Sequence, residues 1–319
     1  MRASLVAALA LVIATPSLAQ QQMGDPSYRP VIEQPAYRND GPMIQLDAAH
    51  GSVQTIDGRY AGFAALVQAD GYRIRVGEQP LDQAGALDGV DILVISNAVA
   101  PRDGSSPDAF TAPEIAALDA WVRAGGSLLL AVDHAPYGSA NESLGRALGV
   151  TMGKGYAFVV SEQGRPVTNA DFPAEALGDH PVIVGRDAAE RVGRVRTFTG
   201  QSLQGPDGAV VLLAMPQGAG EAPDLPTLQM IHQRLDAGED LATVLAALSS
   251  PALPAQGLAF THGAGRVVVL GEAGMLTAQM VRFDDGREPF RFGLHTTGHD
   301  DQQFALNILH WLSRVEGMQ

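Results

Sequence analysis

The chain has 319 residues, no cysteine and a formal net charge of −14. The missing thiol excludes disulfide staples, a cysteine nucleophile and thiolate metal sites, so a hydrophobic core must hold the fold unaided. The acidic surface repels nucleic acid and anionic lipid, and neither is expected as a partner.

Arg2, the apolar run from Leu5 to Thr15 and then Pro16-Ser17-Leu18-Ala19 read as a secretory signal peptide over residues 1–19. Cleavage near Ala19-Gln20 is expected, and with it a periplasmic or secreted protein. No later stretch approaches about 18 uninterrupted apolar residues, so no stable membrane insertion is expected after signal cleavage. Residues 20–41 lack apolar periodicity and read as a flexible leader before an α/β domain at 42–315.

Met43 to Asp47 is the first strand, followed by Ala48-Ala49-His50. Tyr60, Phe63, Ala64 and Val67 then mark a helix by their spacing, and Asp70-Gly71 stops it. Tyr72 to Val76 alternates as a strand, and Val90 to Ile95 is a third, running into Ser96 and Asn97. Thr111-Ala112-Pro113-Glu114 is a capping box, and it opens a helix with Ile115, Leu118 and Trp121 on its inward face. After Gly125-Gly126 comes the apolar strand Ser127 to Val132, which ends in Asp133-His134-Ala135-Pro136. Strands alternating with helices at this spacing predict a parallel sheet.

Beyond Pro136 the chain to Pro223 is glycine-rich with short β-like pieces. Residues 225–248 read as a helical insertion, a candidate lid. Gly265 to Leu270 is the last strong strand, running through Gly271 to Glu272, and Asp300 or Asp301 caps a final helix carrying Phe304, Ile308 and Trp311.

Three stretches together carry a resemblance: Asp47 to His50 with Thr55 to Tyr60; Glu114 to Pro136 with its WVRAGGSLLLAVDHAP; and GEAGMLTAQ with DDQQFALNILHWL. They resemble an uncharacterised bacterial exported family related to DUF4350 and class I glutamine-amidotransferase-like domains. The resemblance implies a flavodoxin-like α/β fold, a mostly parallel sheet with helices on both faces. In class I amidotransferases a cysteine occupies a strand-to-helix turn. Here the matching turn is Asp133-His134, so cysteine-dependent glutamine amidotransfer is excluded. Some relatives occur beside sugar-degrading or transport proteins.

Ligands of open α/β sheets bind beyond the carboxyl ends of the strands. That rule makes Asp133, His134 and Glu272 the catalytic candidates, and Asp47, His50, Asn97 and His299 candidate ligand-binding residues. His50, His134 and Asp133 could also hold a divalent metal such as Zn, Mn or Fe, whose bound water would serve as a nucleophile. The function expected is hydrolysis of a small polar or glycan-derived substrate, possible without metal if Ser52, Ser96 or Ser139 is activated by His134 or His50. The alternative is a non-catalytic ligand- or glycan-binding sensor module, associated with transport or polysaccharide processing.

Overall fold

The computed structural model describes residues 20–283 and 288–318, and the expected signal peptide lies outside them. Among these residues nine strands form the main sheet. They are β1 (Met43–Asp47), β2 (Arg73–Gly77), β3 (Ile92–Ser96), β4 (Ser127–Ala131), β5 (Thr151–Met152), β6 (Leu203–Gln204), β7 (Val210–Ala214), β8 (Ala255–His262) and β9 (Gly265–Leu270). The order is β2-β1-β3-β4-β9-β8-β6-β5, with β7 also pairing β8. The first five in that order run parallel. β8 then turns back antiparallel on β9.

Both β3 and β4 are buried at every position. Such strands need cover on two faces, and their alternate residues feed two separate cores. Ile92, Val94, Leu129 and Val268 point into one core, where α1 (Ala61–Ala69) adds Phe63, Leu66 and Val67. Leu93, Ile95, Leu130 and Val269 point into the other, where α2 (Ala112–Arg123) adds Leu118 and Val122. Each of these side chains contributes about 1.5–3 kcal/mol by leaving water.

The capping box forms as expected. Thr111 accepts the amide of Glu114, and the Glu114 carboxylate accepts the amide of Thr111. Trp121 departs from expectation, being only half-buried. Its ring lies over Gly126, where an added Cβ would come within 2.4 Å of it.

Two helices, α3 (Leu225–Asp236) and α4 (Leu241–Leu248), occupy the segment read as a helical insertion. Leu228, Ile231 and Val244 pack on Tyr156 and Phe158, and Ala135 touches the same cluster. The insertion therefore borders the end of the turn that follows β4. The last helix, α5 (Asp301–Leu312), closes the first core through Phe304, Ile308 and Leu312.

The leader is not loose. Gln20–Gly24 is a strand paired antiparallel with Ala278–Phe283. Tyr28 enters the core. Asp25 accepts from Ser27, from Arg291 at 2.9 Å and from His295 at 3.1 Å. A polar composition concealed this anchorage, because it depends on partners near the opposite end of the chain. No helix among the described residues is long and apolar enough to cross a membrane.

Candidate functional site

The carboxyl ends of β1, β3, β4 and β9 lie along one edge of the sheet, and most of the candidate residues follow them directly. They separate into two groups that no hydrogen bond or ion pair joins.

The first group is Asp47, His50 and Glu114. Asp47 ends β1, and both its carboxylate oxygens lie 2.9 Å from His50 Nδ1. On the other side of the ring, Nε2 donates to Glu114 Oε1 at 2.8 Å. Phe110 covers the imidazole with ring centres 4.1 Å apart. Burial alone would lower the pKa of His50, but hydrogen bonds and charge from Asp47 and Glu114 outweigh it and hold the pKa above its ordinary value. Burial would likewise raise Glu114, and bonds from Thr111 and His50 bring it below the usual range. Two N–H donors facing two carboxylates make an imidazolium locked in a buried ion triad. His50 thus has no free nitrogen with which to bind a metal or take a proton, because Glu114, 64 residues away, already uses it.

The second group gathers at the ends of β3, β4 and β9. Asn97, at φ +48° just past β3, accepts the amide of Asp133 on its side-chain oxygen at 2.8 Å. Asp133 in turn accepts the amide of His134 at 2.9 Å. Gln201 donates to the carbonyls of Val132 and Asp133 at 3.0 and 3.1 Å, bracing the turn from behind. Glu272, past the end of β9, is buried and accepts the amides of Gly274 at 2.5 Å and Met275 at 2.7 Å. Tyr60 is buried at the start of α1, with its hydroxyl 2.8 Å from Ser96 Oγ and donating to the Ala273 carbonyl at 3.2 Å.

Electrostatics link the two acids. Burial drives the Asp133 carboxyl up to about 6, while the charge of His134, its amide, Asn97 and Arg59 recover only part of that cost. Burial and then the charge of Asp133 push Glu272 well above the usual range, against the pull of the Met275 and Gly274 amides. Two carboxyls sharing a desolvated corner cannot both ionise cheaply. A proton is therefore held there close to neutral pH.

His134 completes the group. Its Nδ1–H donates to the Ala135 carbonyl at 2.7 Å, so that in the neutral ring Nε2 is the bare nitrogen. That Nε2 lies 3.9 Å from Asp133 Oδ1, with the two side chains 24% and 15% exposed. The ring stacks on Tyr156, centres 4.3 Å apart and planes at 19°.

The structure corrects several expectations. His299 is tied to Asp171 at 2.9 Å, beside Arg194 and Arg196, and makes no hydrogen bond to the crevice residues. Among the described residues no group of three His, Asp or Glu is arranged around a common metal position. The set His50, Asp133 and His134 does not fit one, since both nitrogens of His50 are spent. The serine route has no support in the geometry either. Ser96 is buried and bonded to Tyr60, Ser52 donates to the Ser96 carbonyl, and Ser139 has no hydrogen bond to either histidine. Sequence reading missed Arg59, Gln201 and Tyr156 as neighbours of the acid pair and treated Tyr60 as core packing. Only Arg59 and Tyr60 left a signal, inside the Thr55 to Tyr60 stretch.

No protein-family model matches the chain, and no curated protein matches it. Among solved structures it is similar to the N-terminal domain of mmIFT52 at 16% identity, covering 85% of this chain and 97% of that one with a TM-score of 0.55. It is also similar to a ThuA-like protein from Parabacteroides merdae, at 10% identity, 86% and 90% coverage and a TM-score of 0.43. The first likeness shows a shared fold and nothing further.

Proposed function

We propose that the crevice beyond β3, β4 and β9 binds a small polar or glycan-derived substrate and hydrolyses it by acid–base catalysis. The observation that carries this reading is the pair Asp133 and His134. One is a carboxyl raised to about 6, the other an imidazole with Nε2 bare, 3.9 Å away at the surface of the site. His134 takes a proton from the attacking water while Asp133 gives its proton to the leaving group as the bond to it breaks. The charge of Asp133 helps to keep its neighbour Glu272 protonated, and Arg59 faces the charge that develops when Asp133 loses its proton. The parallel order β2-β1-β3-β4-β9 supports the flavodoxin-like class, whose ligands bind at this edge. Export is part of the same reading and rests on the leader pattern at residues 1–19.

The test is turnover of a panel of nitrophenyl glycosides and esters by the full chain, His134→Ala and Asp133→Asn. Both variants should lose at least about 100-fold, the usual contribution of a positioned acid or base. Melting temperature should hold for His134→Ala, because its ring is partly exposed. Equal turnover by His134→Ala and the unaltered chain would sink the reading.

One observation favours binding without turnover. The His134–Tyr156 stack presents an aromatic wall, and the insertion helices buttress Tyr156 from behind. A ligand bound at that wall and released unchanged would identify a sensor module.

A further inference from the structure

Among the described residues, Arg59 is the half-buried arginine that makes no hydrogen bond and no ion pair. The others of similar burial, Arg75, Arg165, Arg186, Arg196, Arg234 and Arg266, each donate to a carboxylate or a carbonyl group. Acidic residues outnumber basic ones by 35 to 21, so partners for Arg59 are not scarce. Even Asp57, two residues away, stands exposed and unpaired with it. A guanidinium carries five N–H donors and keeps its charge. Half-burying one without a partner costs solvation that this chain does not return.

The loop that carries Arg59 is fixed against the crevice. Ser52, early in the loop, donates to the Ser96 carbonyl at the end of β3. Tyr60, next to Arg59, reaches Ser96 Oγ at 2.8 Å and the Ala273 carbonyl beyond β9 at 3.2 Å. Between them the backbone turns tightly, with the amides of Gly58 and Tyr60 both on the Thr55 carbonyl at 3.0 Å. Arg59 is therefore held at the ends of β3 and β9, beside the acid pair. Burial raises the Asp133 carboxyl, and the charge of Arg59 is among the influences that pull it back. The two groups nevertheless form no ion pair, and the donors of Arg59 stay unspent beside the site.

We propose that Arg59 is a specificity-determining residue of the crevice and that the substrate carries a carboxylate, which the guanidinium grips. For a glycan-derived substrate this means a uronic acid. A planar carboxylate matches the guanidinium fork with two parallel hydrogen bonds. One negative charge also balances one arginine, whereas a phosphate dianion would leave excess negative charge facing Asp133 and Glu272. The inference rests on the reading that the crevice is the substrate site, and it does not require turnover.

The experiment is calorimetric titration of the full chain with D-glucose, D-glucuronate, D-galacturonate and D-glucose 6-phosphate. At least one uronate should bind, at least about tenfold tighter than glucose or the phosphate. Arg59→Gln should lose at least about tenfold of that affinity, and Arg59→Lys should recover only part of it, because an ammonium lacks the fork. Arg123→Gln removes the same charge from an exposed residue that precedes β4, at the opposite edge of the sheet, and should bind as the unaltered chain does. The ¹⁵Nε resonance of Arg59 should move when the uronate is added. Failure of both uronates to bind overturns the proposal, as does equal affinity for glucose, tighter binding of the phosphate, or binding that survives Arg59→Gln. Uronate binding that needs Arg59, with no turnover of the matching nitrophenyl uronide, defeats hydrolysis and supports the anion site. Turnover of neutral glycosides that His134→Ala abolishes and neither uronate inhibits does the reverse. Should Arg59→Gln unfold, Arg59→Lys and the Arg59 resonance still decide.

Discussion

Asn97 holds the amide of Asp133 on its side-chain oxygen at 2.8 Å while its own backbone stands at φ +48°. Asparagine tolerates that left-handed region better than most residues and supplies the acceptor from the same position. Asn97→Gly should lose only the hydrogen bond, about 1 kcal/mol. Asn97→Ala should lose it and add backbone strain, for a total of about 2–3 kcal/mol. Urea unfolding of the two variants measures the difference, and equal losses would mean that the backbone there relaxes freely.

Asp133→Asn should raise stability while abolishing turnover. The unfolded chain ionises this group near 3.8 and the folded chain near 6. Between those values the folded state binds more protons, so its stability falls as pH rises and stays reduced above about 6. Removing the charge should return about 1–3 kcal/mol near pH 8 and almost nothing near pH 4. Thermal melts across pH read this out directly.

His50→Ala should be the most damaging single change at the sheet edge. It strands Asp47 and Glu114 as buried carboxylates without their cation, at about 3–5 kcal/mol. The sign with pH follows from the raised pKa of His50. The triad's stabilisation is full below about 6.5, the unfolded value, and is lost as pH climbs through the higher folded one. Denaturant midpoints for the unaltered chain and the variant should therefore converge on the alkaline side.

Asp25→Ala should loosen the Gln20–Gly24 strand without unfolding the main sheet. Burial favours a neutral Asp25, yet bonds from Ser27, Arg291 and His295 outweigh it and keep the carboxyl below the usual range. Without the anion, Arg291 and His295 lose a buried partner and residues 20–24 lose their anchor. Amide exchange at residues 22–24 should accelerate by at least about tenfold, while exchange in β3 and β4 stays unchanged.

The sheet was legible because its evidence is local. Five-residue apolar runs such as ILVIS and SLLLA announce strands buried on both faces, and Thr111 to Glu114 announces a helix start. Asp133, His134 and Glu272 were legible as strand-end residues for the same reason. The role of His50 was not, because its fate is decided by Glu114. The capping-box residue holds Thr111 with one carboxylate oxygen and the imidazole with the other. Nothing in the spacing of either motif records that meeting. Gln201 was equally hidden, because it lies outside any strand, and Tyr156 because its five-residue strand does not record which side chain it meets.

The pairing of Gln20 with Phe283 sets an order of events. A strand laid down at the start of the described chain has no edge to join until the Ala278–Phe283 strand has been synthesised. Loop closure over such a span is slow compared with pairing among β1, β3 and β4. Residues 20–24 therefore have no strand to pair with until residues 278–283 have been made, long after β1, β3 and β4 are present.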